Sequence, residues 1–234
     1  MWRSEWTLVA GLTVTILLAL VSVPVFLQGQ QGFGLLALIL ALLLLAATNY
    51  LYRLAALPPY TILNTHTLIQ ILDPVHARWR KTITLRANQE DLQHYVHRNL
   101  SADGIVHEDF RVDPEATLVH QHRLAGDYNL TVHFTKPLRR FSKIVTWIEA
   151  DLEGTFEGTS EAVILLVDQP IKSATIEIVF PPQRLPIASR MIYRYSGREE
   201  ELKGPRIDGN RIIWAYSVRF GSIRYGAYEA RWDW

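Results

Sequence analysis

The chain contains no cysteine among its 234 residues. That absence removes disulfides, thiolate zinc centres and cysteine nucleophiles from consideration, and it fits a reducing compartment. Catalytic signatures are missing as well. There is no G-x-x-x-x-G-K-[ST] loop, no G-x-G-x-x-G turn, no H-E-x-x-H and no G-x-S-x-G elbow. The sequence therefore points away from an enzyme and implies no cofactor. Charge is scarce in one region only: residues 1–59 carry three charged side chains, Arg3, Glu5 and Arg53. The rest of the chain holds 22 lysines and arginines against 22 aspartates and glutamates. A balanced domain of this kind lacks the net positive field that binding to bulk nucleic acid requires.

In place of charge, the N-terminal region has two apolar stretches. The first, Thr7 to Leu27, is uncharged and at ~1.5 Å per residue reaches ~30 Å, the depth of a bilayer core. The second expected span covers about residues 33–52 and is rich in leucine. Trp2, Trp6, Tyr50 and Tyr52 lie where an interfacial aromatic belt belongs. The linker Q-G-Q-Q-G from Gln28 to Gly32 is too short for anything but antiparallel neighbours. Hydropathy thus predicts an α-helical transmembrane hairpin within 1–56, a proline-containing linker at 57–60 and a β-rich domain over 61–234. Arg3, Arg53, Arg78, Arg80 and Lys81 flank the hairpin, which puts both termini and the β-domain in the cytoplasm. Gly11, Ala19, Ala37 and Ala41 offer small surfaces for packing between protomers.

Beyond Pro58-Pro59 the apolar period changes to two, the repeat of a half-buried strand. Tyr128, Leu130, Val132 and Phe134 form the clearest row. Further rows are Ile83, Leu85, Ala87; Ile176, Ile178, Phe180; Ile212, Trp214, Tyr216, Val218; and Tyr228, Ala230, Trp232, Trp234. In the last of these Glu229, Arg231 and Asp233 are expected to face outward. Glu161 to Val167 reads as a fully buried strand. One helix is expected over 88–100, with Asn88 as its cap and Leu92, Val96 and Leu100 at four-residue steps. The expected domain is mainly β, a β-barrel or β-sandwich with one short helix.

Three clusters could carry binding chemistry. Arg190, Tyr193, Arg194, Arg211, Trp214 and Tyr216 combine guanidinium forks for phosphate with rings that stack on bases. The plainer account makes the aromatics core and the arginines the wet face. His120, His122 and His133 could supply three imidazoles, but on solvent-facing strand positions they make no metal site, and none is expected. His94 and His97 have helical spacing without an acidic partner. Glu149, Asp151 and Glu153 share one strand face, where three like charges are expected to be solvated.

Two N-terminal spans, a charge-free linker and one compact β-domain resemble the two-transmembrane, β-strand-rich effectors of bacterial antiphage systems, both CBASS-type and retron-associated. The resemblance lies in architecture and matches no motif. It implies a multi-pass protein of the bacterial inner membrane whose β-domain senses a cyclic nucleotide or a partner protein of a defence operon. It further implies homo-oligomers that disrupt the lipid bilayer. The alternative is a membrane-tethered adaptor whose β-domain docks a partner protein.

Overall fold

The computed structural model describes residues 31–55, 58–100, 104–124, 127–218 and 222–234. The chain divides into two units, Met1–Pro58 and Pro59–Trp234. In the first, helix α1 runs over Gln31–Ala55, with Leu42 and Leu43 among its exposed leucines. Its unbroken apolar run extends only from Phe33 to Ala47 before Thr48, Asn49 and Arg53 intervene. Those 15 residues cover ~22 Å, short of the ~30 Å hydrocarbon core. Among the described residues no helix is long and apolar enough to cross a membrane. The expected hairpin is thereby corrected, and with it the multi-pass inner-membrane placement and the membrane disruption built on it. The other expected span, 7–27, lies outside the described residues together with Gly11 and Ala19; Ala41 is buried on α1.

The second unit is built from strands: β1 (Tyr60–Ile71), β2 (His76–Ala87), β3 (Leu92–Leu100), β4 (Ile105–Val106), β5 (Arg111–Val112), β6 (Ala116–Leu124), β7 (Asp127–Leu138) and β8 (Lys143–Glu153). They continue as β9 (Ser160–Val167), β10 (Ile171–Val179), β11 (Ala188–Tyr195), β12 (Arg198–Leu202), β13 (Arg206–Asp208), β14 (Arg211–Ser217) and β15 (Gly226–Asp233). The largest sheet has the order β13-β14-β10-β1-β2-β8-β4, with β5 also paired to β8. A second sheet runs β12-β11-β15-β9 and a third β3-β7-β6. All pairings are antiparallel except β1 with β10. Among the described residues the sheets are open, with free ends, and do not form one closed barrel.

Strand alternation explains the core. Leu130, Val132 and Phe134 of β7, Ile176 and Ile178 of β10, and Trp214 of β14 are all buried, as their period-two rows require. They join Ile69, Leu85, Ile148, Met191 and Trp232 in a core that draws on all three sheets. Trp232 is boxed by Phe156, Phe180 and Trp234 at ring-centroid separations of 5.5, 5.6 and 6.1 Å. A buried ring of this size removes ~150–250 Å² from water, worth several kcal/mol at ~25 cal/mol/Å².

Three expectations are corrected here. The segment expected to be helical is β3. Asp91 has φ 55°, which breaks a right-handed helix at its first turn. The Asn88 amide donates to Thr61 Oγ1 at 2.8 Å instead of capping. A register irregularity between Leu92 and His94 disturbs the alternation and leaves a false four-residue spacing. Secondly, β9 is not buried on both faces. It ends its sheet, and Ile164 and Leu166 are exposed while Leu165 and Val167 are buried. Thirdly, Glu229 does not face water. It is 3% exposed, with its Oε2 3.0 Å from Arg194 Nη1 and its other oxygen against Arg231 Nε.

Candidate functional site

The inward row of β2 reads Trp79, Lys81, Ile83, Leu85. Alternation therefore turns a lysine toward the interior, between a tryptophan and an isoleucine. Its cross-strand neighbours are Thr67 on β1 and Ile148 on β8. Thr65 and Thr67 share the inward face of β1 with Ile69 and Ile71. β3 adds His97, 5% exposed, whose ring lies 5.4 Å from that of Trp79 at 55°. The result is a polar patch on an otherwise apolar interior surface.

This patch floors a cleft of about 470 Å³, within the range of small-ligand sites. Thr67, Trp79, Lys81 and His97 line its floor, Thr155 and Phe156 one end, and Ser160 to Leu166 of β9 a whole side. Thr65 lies in an adjoining hollow. The Oγ1 atoms of Thr65, Thr67 and Thr155 and the Nε2 of His97 are buried with no hydrogen-bond partner among the described residues. Buried polar groups are nearly always paired, and each orphan costs ~1–3 kcal/mol. Three of them around one cleft, and the fourth in the hollow beside it, mark a place prepared for polar contacts that the described residues do not themselves make.

Electrostatics at the floor follow from burial. Among the described residues no carboxylate lies within ion-pair distance of Lys81. Burial pulls its ammonium down to about 8, with the more distant Asp168 opposing the shift. His97 is held well below the ordinary imidazole range, by burial first and by the Lys81 charge second. At neutral pH the cleft thus presents the Lys81 ammonium, a neutral imidazole and several free hydroxyls. Its lining also carries Arg98, Arg231, Glu161 and Glu229; with Lys81 that makes three cations against two carboxylates, which leaves it net positive. That set suits an anion: the ammonium supplies charge and the hydroxyls supply donors.

The residues singled out in the sequence lie elsewhere. Tyr193 and Tyr216 come together on Tyr228, with ring centroids 5.0 and 5.4 Å away, as part of the interior packing. Tyr193 also donates from its hydroxyl to the Tyr225 carbonyl at 2.5 Å. Trp214 is buried beside an open depression of about 740 Å³ that Tyr216, His66, Glu177, Lys203 and Arg206 also border. Arg211 Nη1 lies 3.2 Å from Glu177 Oε1, and Arg194 is shared between Glu199 and Glu229 at 2.9 and 3.0 Å. Arg190 is exposed on β11, in a different sheet from Arg211, Trp214 and Tyr216.

The His120 and His122 rings stand 6.2 Å apart, yet among the described residues no group of three side chains could hold a metal ion. Glu149 and Asp151 are paired, not solvated. Arg111 Nε lies 2.8 Å from Glu149 Oε1, and its two terminal nitrogens each lie 2.8 Å from Asp151 oxygens. Glu153 meets His107 Nε2 at 3.1 Å. Lys81, counted among the charges flanking the hairpin, belongs to the cleft instead. Extending the Ile83, Leu85, Ala87 row two residues back would have placed it there.

No family model matches the chain, and no curated protein matches it. Solved structures that superpose include the M1 zinc metallopeptidase from Deinococcus radiodurans, 12% identical over 74% of this chain and 42% of that one, TM-score 0.41. Native yeast LTA4 hydrolase is 10% identical over 74% of this chain and 29% of its own, TM-score 0.40. The chain spans less than half the length of these proteins. Superpositions this loose carry no inference about activity.

Proposed function

We propose that the second unit is a recognition domain without a catalytic role, and that it takes a small phosphate- or carboxylate-bearing ligand over Lys81. The observation that carries this reading is Lys81 itself, an ammonium turned to the interior beside orphaned hydroxyls, with no carboxylate within ion-pair distance among the described residues. Keeping a charge there costs stability, and a ligand anion supplies the missing counter-charge. The proposal keeps the sensing part of the effector role expected from the sequence, a nucleotide signal being one anion of this class. It drops the membrane-disrupting part.

Calorimetric titration of the full chain with inorganic phosphate, ATP and cyclic di-AMP tests it. Binding of at least one is expected, weakened at least ~tenfold by Lys81→Met, a loss of ~1.4 kcal/mol. Lys136→Met, at an exposed site on β7, should leave it unchanged. Binding that ignores Lys81 defeats the proposal. The free edge of β9 favours a second reading, partner docking, which is developed next.

A further inference from the structure

β9 pairs with β15 on one side and with no described strand on the other. The Trp234 amide donates to the Thr159 carbonyl at 3.1 Å, which makes these two residues a hydrogen-bonded pair of the antiparallel ladder. Alternation then directs the backbone groups of Glu161, Val163, Leu165 and Val167 toward β15. Those of Ser160, Ala162, Ile164 and Leu166 point to the free side. The Asp233 carbonyl, opposite Ser160 in the register, accepts from Ile187 N at 2.8 Å on the far side of β15, which agrees with this phase. Among the described residues no backbone hydrogen bond reaches Ala162, Ile164 or Leu166 from the free side.

That free edge is the side wall of the cleft, lined by every residue from Ser160 to Leu166. Facing it is β3, the end strand of its own sheet, through His97 and Arg98. β3 is already closed to pairing at Val96: its amide donates to Tyr60 Oη at 3.3 Å, and its carbonyl accepts from the same hydroxyl at 3.4 Å. β9 has no such cap. It also contains no proline and no lysine, the residues that usually guard a sheet edge, and Ile164 is 59% exposed on it.

We propose that this edge docks an extended segment of a partner polypeptide, which adds to β9 as a further strand and turns acidic side chains toward Lys81 and Arg98. The inference rests on the anion-binding reading of the cleft and names the carrier of the anion. A strand placed ~4.8 Å from β9 presents alternate side chains to opposite faces. One set lies beside the exposed Ile164 and Leu166. The other enters the cleft, where neither Lys81 nor Arg98 has a carboxylate within ion-pair distance among the described residues. Backbone pairing supplies affinity and the alternate side chains supply selectivity, as in other strand-addition complexes.

The test uses the full chain and a fluorescent seven-residue peptide alternating valine and glutamate, beside the same peptide with glutamine for glutamate. Ile164→Pro deletes an outward amide while sparing the ladder to β15. Ile164→Lys leaves the backbone intact and adds a guarding charge on an exposed side chain, so it remains informative if the proline variant misfolds. The glutamate peptide should bind at least ~tenfold tighter than the glutamine one. Both substitutions at 164 and Lys81→Met should weaken it, and hydrogen exchange at Ala162, Ile164 and Leu166 should slow on binding. Phosphate or ATP binding should depend on Lys81.

Peptide binding that ignores both substitutions at 164, or that leaves those amides unprotected, overturns strand docking. Lys81-dependent anion binding with no peptide binding overturns strand docking while sparing the anion reading. Peptide binding with protected amides but no dependence on Lys81 overturns the anion reading and the acidic selectivity together. A dimer of the chain abolished by Ile164→Lys, in place of peptide binding, also overturns the proposal.

Discussion

Thr67 of β1 stands directly across the antiparallel ladder from Lys81 of β2, and both face the interior of the domain. Among the described residues the threonine hydroxyl has no partner and Lys81 has no carboxylate within ion-pair distance. Two polar groups placed face to face in this way cost stability unless something else joins them.

Replacing Lys81 by methionine should therefore stabilise the empty domain while abolishing anion binding. The methionine keeps the stem and removes the charge. A gain on the order of 1 kcal/mol is expected, measured as a higher urea midpoint at pH 7. A destabilised variant would show that the ammonium already has a partner within the fold.

The pH dependence has a definite sign. Burial holds the Lys81 ammonium at about 8 in the folded chain against 10.5 for a lysine in water, so between those values the unfolded state binds more protons. Stability should rise with pH across that window in the wild type and stay flatter in Lys81→Met. Anion affinity should move the opposite way, falling as pH climbs through about 8 and the ammonium is lost. Denaturation midpoints and titrations from pH 7 to 10 check both.

His97 gives the complementary acid limb. Its folded pKa is lowered well below 6.5, so unfolding takes up a proton as pH falls below that value. Wild-type stability should decline from pH 6.5 downward, and His97→Phe should remove part of the decline. Guanidinium midpoints between pH 4.5 and 7.5 measure it; parallel curves for the two proteins would contradict a neutral buried imidazole.

Arg111 joins two carboxylates of β8 and holds Asp151 down to about 2, chiefly through its side-chain hydrogen bonds. A depressed carboxylate contributes stability above its unfolded value and loses it as pH falls through the folded one. The window here is pH 3.8 to about 2. Both side chains are more than a third exposed, so solvent screening limits the coupling to ~1 kcal/mol or less. A double-mutant cycle with Arg111→Met and Asp151→Asn should return that value.

Gly226 holds φ +137°, and a Cβ there would sit 2.6 Å from the Arg194 carbonyl oxygen and 2.8 Å from the Tyr193 ring. Gly226→Ala should cost ~2–4 kcal/mol through backbone strain plus the clash. The readout is the thermal midpoint, and a shift within error would mean that β11 and β15 can part without penalty.

The rows of β7, β10, β14 and β15 were legible because a strand buried on one face repeats every two residues. β3 was not, since a bulge after Leu92 breaks that repeat and its spacing then imitates a helix. The site was hidden for a different reason. Arginine and tyrosine attract attention as ligand groups, yet Arg194 and Arg211 are held by glutamates and Tyr193 by the core. Lys81 looks like any charge in a basic run until the parity of its strand is counted.

By itself the sequence determined that most of the chain after Pro59 is built from strands, which side chains of β7, β10 and β14 share a face, and that no cysteine chemistry operates. Those are properties of local order, carried by the alternation of side chains along a strand and by composition. Only the tertiary structure decided that β9 ends a sheet, that Glu229 is buried between two arginines, and that Thr67, Lys81, His97 and Thr155 meet in one cleft. Each depends on which strands pair and which edge stays open. Pairing between segments separated by about a hundred residues, such as β1 with β10, is settled by burial of the whole core, and no local pattern encodes it.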